Sequence, residues 1–136
     1  MGGSVRRVAT VTLVVGVIVA VLSPSASAGG GFWRSAGLPG VDAFGVYRVR
    51  PARVTLSFLL KDLRKDGYSA AVRFTFTERH HRRSVHFRAL HGDRAPTRWR
   101  TVRSANTGHL YVQECVGTWR KKGFRIRKCG HRRRRY

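Results

Sequence analysis

The side chains whose types and spacing suggest chemistry are cations interleaved with indole rings. They lie in Arg98-Trp99-Arg100 and in Trp119-Arg120-Lys121-Lys122, and a basic run from His131 to Arg135 follows near the chain end. Guanidinium groups match the geometry of phosphate and carboxylate groups. Aromatic rings among cations stack on bases or sugars. These stretches predict binding of an anionic polymer, whereas a solvated loop is the alternative for each stretch taken alone.

The alternation of side chains along a strand predicts that several of these residues share one face of a sheet. On the last predicted hairpin, it places Trp119, Arg125 and Arg127 on one side of the sheet, with Tyr111 and Gln113 beside them. A core position is the alternative for Trp99, because a large ring rarely stays fully exposed. The predicted binding residues are basic or aromatic: Arg73, Arg98, Trp99, Arg100, Trp119, Arg120, Lys121, Lys122, Arg125, Arg127, Arg132, Arg133, Arg134 and Arg135.

Catalysis is the second class of function that the residues suggest. Glu78 with His80 or His86 and Arg82 would supply a base, an acid and a phosphate ligand for phosphodiester hydrolysis. However, the spacing matches no diagnostic motif, and the chain has no nucleophile elbow, phosphate-binding loop or zinc signature. We therefore predict no enzymatic activity. A ribonuclease-like hydrolase and a cationic protein that attacks membranes remain the alternatives.

Metal binding is not expected at the acidic turn or at the histidines. Asp62 and Asp66 flank a turn, as in some calcium sites, but Lys61, Arg64 and Lys65 surround them with positive charge. An Asx-type turn that leads into the next strand explains both carboxylates. The six histidines do not have the spacing of a zinc site. We predict no metal and no cofactor.

Cys115 and Cys129 are the only cysteines. A three-residue loop at Lys121-Lys122-Gly123 would pair Arg120 with Phe124. The same register places the two cysteines directly opposite each other, at a separation compatible with a disulfide. The register and the export signal described below both predict a Cys115–Cys129 bridge.

Alternation of apolar and polar residues predicts the fold. It recurs in about seven short segments between Phe44 and Cys129, and turn residues such as Asp66-Gly67 and Asn106-Thr107-Gly108 separate these segments. No stretch sustains a helical period. The pattern predicts an all-β protein, a small antiparallel β-sandwich that is immunoglobulin-like, with a small closed barrel as the alternative.

The N-terminal segment has the features of a secretory signal peptide. Arg6 and Arg7 precede an apolar run from Val8 to Leu22, and Ala26-Ser27-Ala28 is a small-residue cleavage site. We predict a secreted, extracellular protein. The predicted organisation is a signal peptide (1–28), a flexible lead-in (29–43), a β-sandwich domain (44–130) and a basic C-terminal arm (131–136).

The charge of the chain is strongly positive. It holds 28 Lys and Arg residues against 6 Asp and Glu residues, a formal charge of +22 at pH 7. Loss of Arg6 and Arg7 with the signal peptide would leave +20. Such a field favours polyanions or an anionic cell surface as partners and keeps copies apart, so we predict a monomer. Arginine-rich composition without a binding role is the alternative explanation.

One segment carries a resemblance to known proteins. The run from Asp62 to Phe74, DLRKDGYSAAVRF, and the late cysteines in LYVQECVG and at Cys129 resemble a segment of small secreted proteins of actinobacteria. The resemblance spans roughly Val54 to Cys129 and implies a β-sandwich fold and an extracellular location. It transfers no functional residues to this chain.

Overall fold

The computed structural model describes residues 29–35, 37–78, 82–91 and 98–136. These residues form strands and no helix, so none of their segments is a helix long and apolar enough to cross a bilayer. The nine strands are β1 (Gly29–Arg34), β2 (Val41–Arg50), β3 (Arg53–Asp62), β4 (Ser69–Thr77), β5 (Arg83–Ala89), β6 (Arg100–Ser104), β7 (His109–Arg120), β8 (Gly123–Cys129) and β9 (Arg133–Arg134).

The strands form two antiparallel sheets. Sheet A has the order β1-β2-β3-β6, and sheet B has the order β5-β4-β7-β8, with β9 paired to β7. The chain changes sheets between β3 and β4, between β5 and β6, and between β6 and β7, as in immunoglobulin-like sandwiches. The predicted all-β antiparallel sandwich is confirmed. The seven predicted strands correspond to β2–β8, and the two additional strands lie at the ends of the described chain.

The core lies between the inner faces of the two sheets. Alternate residues of β3 and β4, including Phe58 and Phe74, are completely buried. The Phe74 ring packs edge-on against Phe58, with a centroid distance of 4.7 Å, and against Trp33 of β1 at 5.7 Å. The apolar residues whose alternation predicted these strands are therefore the residues that fill the core.

The prediction of a flexible lead-in at residues 29–43 is wrong. Residues 29–34 form β1, residues from Val41 onward belong to β2, and Trp33 is only 2% exposed. The glycines conceal this strand because they carry no side chains that could alternate. At Gly31 a Cβ atom would lie 2.6 Å from the hydroxyl oxygen of Tyr47, so a larger residue there would require the Tyr47 side chain to shift.

The prediction of a basic C-terminal arm at residues 131–136 is also wrong. β9 pairs with Tyr111 and Val112 of β7. Tyr136 packs its ring against Tyr47 at 4.8 Å, and both side chains pack against the core. The run of arginines predicted a solvated segment because the local sequence does not show that the ring of Tyr136, the residue after the run, packs against the core.

The position of β1 gives a prediction for processing. Its first ladder pair joins Gly29 to Val49, so β1 begins directly after the predicted cleavage site at Ala28. We expect mass spectrometry of the exported protein to give an N-terminus at Gly29. An N-terminus beyond Trp33, or full-length protein retained in the membrane, would contradict this prediction, since cleavage beyond Trp33 removes a core residue.

Candidate polyanion-binding surface

The hairpin of β7 and β8 positions several of the predicted binding residues, and its register differs from the predicted one near the turn. Arg120 pairs with Gly123 and Trp119 with Phe124, so the turn has two residues rather than three. A β-bulge between Val116 and Gly117 then shifts the register by one residue. Beyond the bulge, the two cysteines face each other and form the predicted disulfide.

The two-residue turn changes which side chains of β8 share a face with Trp119. Phe124 and Ile126 take that face, because they pair with Trp119 and Gly117. Arg125 pairs with Thr118 and points to the other side of the strand. The placement of Arg125 and Arg127 on the Trp119 face is therefore wrong.

Arg127 is the additional residue of the bulge and lies at the end of the sandwich. Its guanidinium carbon is 4.4 Å from the centre of the Tyr68 ring, a cation–π contact. Gly117 is the sequence feature that permits this bulge, since a Cβ atom there would collide with the carbonyl oxygen of Arg125. A bulge beside a glycine is a recurring combination, but the predicted register did not include it.

The outer face of sheet B collects arginines from separate strands, and we call it the sheet B face. Arg73 lies on β4 between Phe87 and Gln113, and its guanidinium donates to the Gln113 side-chain oxygen at 3.2 Å. Arg83 begins β5 at a position on the same face. Arg132 places its guanidinium carbon 4.0 Å from the centre of the Tyr111 ring.

The centre of the sheet B face is a shallow, open depression. Its lining combines three arginines with apolar and polar side chains: Arg73, Thr75, Arg83, Val85, Phe87, Gln113, Ile126 and Arg132. Arg134 pairs with Tyr111 and is exposed at the same edge of the sheet. The three arginines of the depression come from β4, from β5 and from the segment before β9.

Three carboxylates of the described chain, those of Asp42, Asp62 and Glu114, lie away from this face. Asp42 pairs with Arg34 at 3.3 Å, and this is the one ion pair within 4 Å among the residues the structure describes. Asp62 accepts hydrogen bonds from the backbone of Arg64 and Ala70. Glu114 is 3% exposed inside the sandwich. The arginines of the sheet B face are therefore not neutralised by these carboxylates.

The acidic turn forms the expected Asx geometry. The Asp66 side chain accepts a hydrogen bond from the backbone nitrogen of Tyr68, two residues later, at 3.0 Å. In the described part of the chain, no group of three or more His, Cys, Asp or Glu side chains is arranged to hold a metal ion.

Trp119 has a structural role at the end of sheet B. Its indole nitrogen donates to the carbonyl oxygen of Leu90 at 2.6 Å, and the His91 ring stacks on it at 3.8 Å. The His91 ring covers one face of the indole. Trp119 nevertheless remains 39% exposed. The exposed side chains of Arg120, Lys121 and Lys122 follow it at the hairpin turn.

Arg98 and Trp99 directly precede β6 of sheet A, and Arg100 is its first residue, so the structure does not bring them together with Arg73 or Trp119 on sheet B. Arg100 pairs with Phe58 in sheet A. Burial lowers the pKa of Arg100, and the neighbouring positive charges of Arg98 and Arg88 lower it further. Trp99 is 56% exposed and is not part of the core.

Of the last four arginines, Arg133 and Arg135 do not lie on the sheet B face. Arg135 donates to the carbonyl oxygen of Arg34 at 3.1 Å. Burial lowers its pKa, partly offset by the attraction of Glu114. Arg133 pairs with Val112, whose side chain points into the core, so Arg133 does not share the face of Arg132 and Arg134.

Six lining residues of the depression were absent from the predicted set, and three of them, Arg83, Val85 and Phe87, belong to β5. Val85 and Phe87 alternate with His86 and Arg88, and in a half-buried strand the apolar side chains normally face the core. The structure turns them outward, because Ser84 and His86 pair with the inward-facing residues Phe76 and Phe74. Val85 is accordingly 51% exposed.

The structure describes three of the four residues that the hydrolase alternative uses: Glu78, Arg82 and His86. His86 packs edge-on against the Phe76 ring at 5.7 Å, and burial followed by the charge of Arg88 lowers its pKa. The backbone nitrogen of Glu78 donates to the carbonyl oxygen of Arg82 at 2.9 Å across the β4–β5 connection. His80 lies outside the described residues.

Comparisons with protein-family models, with curated proteins and with solved structures found no match to this chain.

Proposed function

We propose that this chain is a secreted, non-catalytic, monomeric protein that binds anionic polymers through the sheet B face. The ligand class comprises nucleic acid, teichoic acid and acidic polysaccharide, which share closely spaced negative charges along a flexible or helical chain. The disulfide between Cys115 and Cys129 is compatible with an extracellular location.

The observation that carries this proposal is the arrangement of arginines around the open depression of the sheet B face. Arg73, Arg83 and Arg132 come from three separate segments of the chain and line one surface. Guanidinium groups bind phosphate, sulfate and carboxylate through paired hydrogen bonds. None of these three arginines forms an ion pair within 4 Å with a carboxylate of the described residues. A surface that displays several such guanidinium groups attracts a polyanion strongly at low salt.

The contacts would be to the backbone of the polymer and not to its sequence. The depression is shallow, and the arginines that line it are spread along an extended surface. Recognition of base edges instead requires an element that enters a groove. We therefore expect affinity that varies little with nucleotide sequence and falls steeply as salt is added.

Substitution of three arginines should test the location of the site. In Arg73→Gln/Arg83→Gln/Arg132→Gln, we expect weaker duplex DNA binding and a log–log salt slope that is flatter by about 0.9 for each phosphate that the variant no longer neutralises. The matched control is Arg50→Gln/Arg53→Gln/Arg103→Gln, which removes the same charge from exposed positions of sheet A. The slope can be measured by fluorescence anisotropy at several salt concentrations.

The outcomes of this comparison are distinct. A larger loss of affinity in the sheet B variant than in the control supports a binding site on that face. Equal losses would show that affinity follows total charge alone and would contradict the proposed site. Release of soluble fragments from labelled RNA by the purified protein would contradict the non-catalytic assignment.

A further inference from the structure

The outer face of sheet A carries an exposed apolar surface that the proposed function does not use. We call it the aromatic patch and define it by five side chains: Phe32, Phe44, Val46, Leu59 and Trp99. Phe32 is 66% exposed, Trp99 is 56% exposed and Val46 is 42% exposed. Large apolar side chains grouped at such exposure on a soluble domain mark a surface that contacts something else.

The register of sheet A shows that these side chains form one continuous patch. Phe44 pairs with Leu59 of β3, and Val46 of the same strand pairs with Phe32 of β1. The Phe44 ring lies at the centre, 6.4 Å from the Phe32 ring and 6.0 Å from the Trp99 ring. Because they stand on one rigid sheet, the side chains project in a common direction.

Cations surround the aromatic patch. The Arg34 guanidinium carbon and the Lys61 ammonium nitrogen lie 5.9 Å and 5.8 Å from the centre of the Phe44 ring. Further along the same face, Arg48 and Arg103 lie opposite Thr55 of β3. Arg50 and Arg53 extend this group at the β2–β3 turn, and we call these last four the arginine band.

The only carboxylate of the described residues placed on this face by the register is Asp42, which pairs with Arg34. The face is therefore apolar in the centre and positively charged at its border. This charge opposes stacking of two copies through the patch, since each copy would bring its own cations to the contact.

The ring orientations argue against a carbohydrate ligand. Stacking on a sugar uses exposed rings that present parallel faces, but the Phe44 and Trp99 planes differ by 86° and the Phe32 and Phe44 planes by 41°. Rings at such different angles present edges as well as faces. They are suited to a soft medium that can fill the space around them, such as the boundary of a lipid bilayer.

We propose that the outer face of sheet A docks on anionic lipid bilayers, with the aromatic patch entering the headgroup boundary and the bordering cations contacting lipid phosphates. Aromatic side chains favour the membrane interface. Basic residues at the same surface add attraction to anionic lipids. The proposal concerns a different face and a different ligand from the polymer-binding site, so either can hold without the other.

Vesicle sedimentation provides the direct test. The protein recovered from culture medium should bind vesicles of phosphatidylcholine and phosphatidylglycerol, but bind weakly to vesicles of phosphatidylcholine alone. Phe32→Ser should reduce binding to the anionic vesicles by about tenfold, as expected for removing one ring from an apolar environment. The matched control is Leu63→Ser, because Leu63 is 63% exposed and lies outside the patch. It should bind like the parent protein.

Tryptophan fluorescence supplies a second readout. Trp33 is buried and Trp119 is already hydrogen-bonded, so a blue shift upon adding anionic vesicles should come from Trp99. Trp99→Phe should abolish the shift while retaining most of the vesicle binding. A shift that persists in Trp99→Phe would overturn the proposal, as would equal vesicle binding by Phe32→Ser and Leu63→Ser.

Two further outcomes separate this proposal from its alternatives. If Phe32→Ser converts a dimer into a monomer in sedimentation velocity, the patch joins two copies and the lipid proposal is overturned. Salt-dependent DNA binding by Phe32→Ser should equal that of the parent protein. A loss of DNA binding together with vesicle binding would place the polymer on sheet A, and would overturn the sheet B site and the assignment of the two ligands to different faces.

Discussion

Replacing both cysteines by alanine should lower the free energy of unfolding by about 2–4 kcal/mol, the range found for native disulfides in small domains. The bridge joins β7 to β8 across 14 positions of sequence. Closing a loop of this length in the unfolded chain accounts for about 3 kcal/mol in the chain-entropy model. Alanine is preferable to serine because Cys115 is completely buried, and an unpaired hydroxyl would add its own cost.

Urea denaturation of the Cys115→Ala/Cys129→Ala protein against the parent protein measures this effect. The parent protein after reduction provides a control that leaves the sequence unchanged, and it should be destabilised to a similar extent. Two titratable thiols in the native exported protein, or equal midpoints for all three samples, would contradict the prediction.

The disulfide shows how a correct pairing can follow from a partly wrong register. The sequence predicted a three-residue loop, whereas the hairpin has a two-residue turn and a bulge between Val116 and Gly117. The turn and the bulge each shift the register by one residue, in opposite directions, so both registers pair Cys115 with Cys129. Between the turn and the bulge, however, the side chains change faces, and Arg125 and Ile126 exchange their predicted positions.

Central strands were predictable because their inner rows are fully buried. Alternate residues of β3 and β4, such as Leu56 and Phe74, are apolar, so period two gives both the strand and its orientation. Edge strands lack this constraint. In β5 the outward row is apolar at Val85 and Phe87, while the inward row holds His86 and Arg88 along the open edge of the sandwich.

The candidate sites were harder to predict than the fold, because they are built across strands. Continuous stretches such as Arg98-Trp99-Arg100 suggested single clusters, but Trp99 is adjacent to Phe44, which is distant in the sequence. Likewise, Arg73 and Arg132 meet on the sheet B face through the pairing of β4 with β7. Such groupings depend on the order of the strands in the sheet. Alternation shows only which residues of one strand share a face, and it does not show which strands are neighbours.

Deletion of Arg133–Tyr136 should lower the free energy of unfolding by about 2–3 kcal/mol, because it removes a packed aromatic ring and the last strand pairing. The Tyr136 ring lies 4.8 Å from the Tyr47 ring, and the backbone nitrogen of Arg135 donates to the Leu110 carbonyl oxygen. The matched variant Arg132→Gln/Arg134→Gln keeps this packing and removes only exposed charge. It should unfold like the parent protein but bind DNA with a flatter salt slope.

The same packing predicts an alkaline transition. Burial, and secondarily the neighbouring Tyr47, raises the pKa of Tyr136 from 10.0 to about 12. The folded state therefore favours the protonated phenol. The stability from this preference is present below pH 10 and is lost as the pH rises through about 12. Absorbance titration should show one tyrosine ionising near pH 12, and Tyr136→Phe should remove that step. A step that persists in Tyr136→Phe would show that the terminal ring is not the buried one, and that the chain end is a free arm after all.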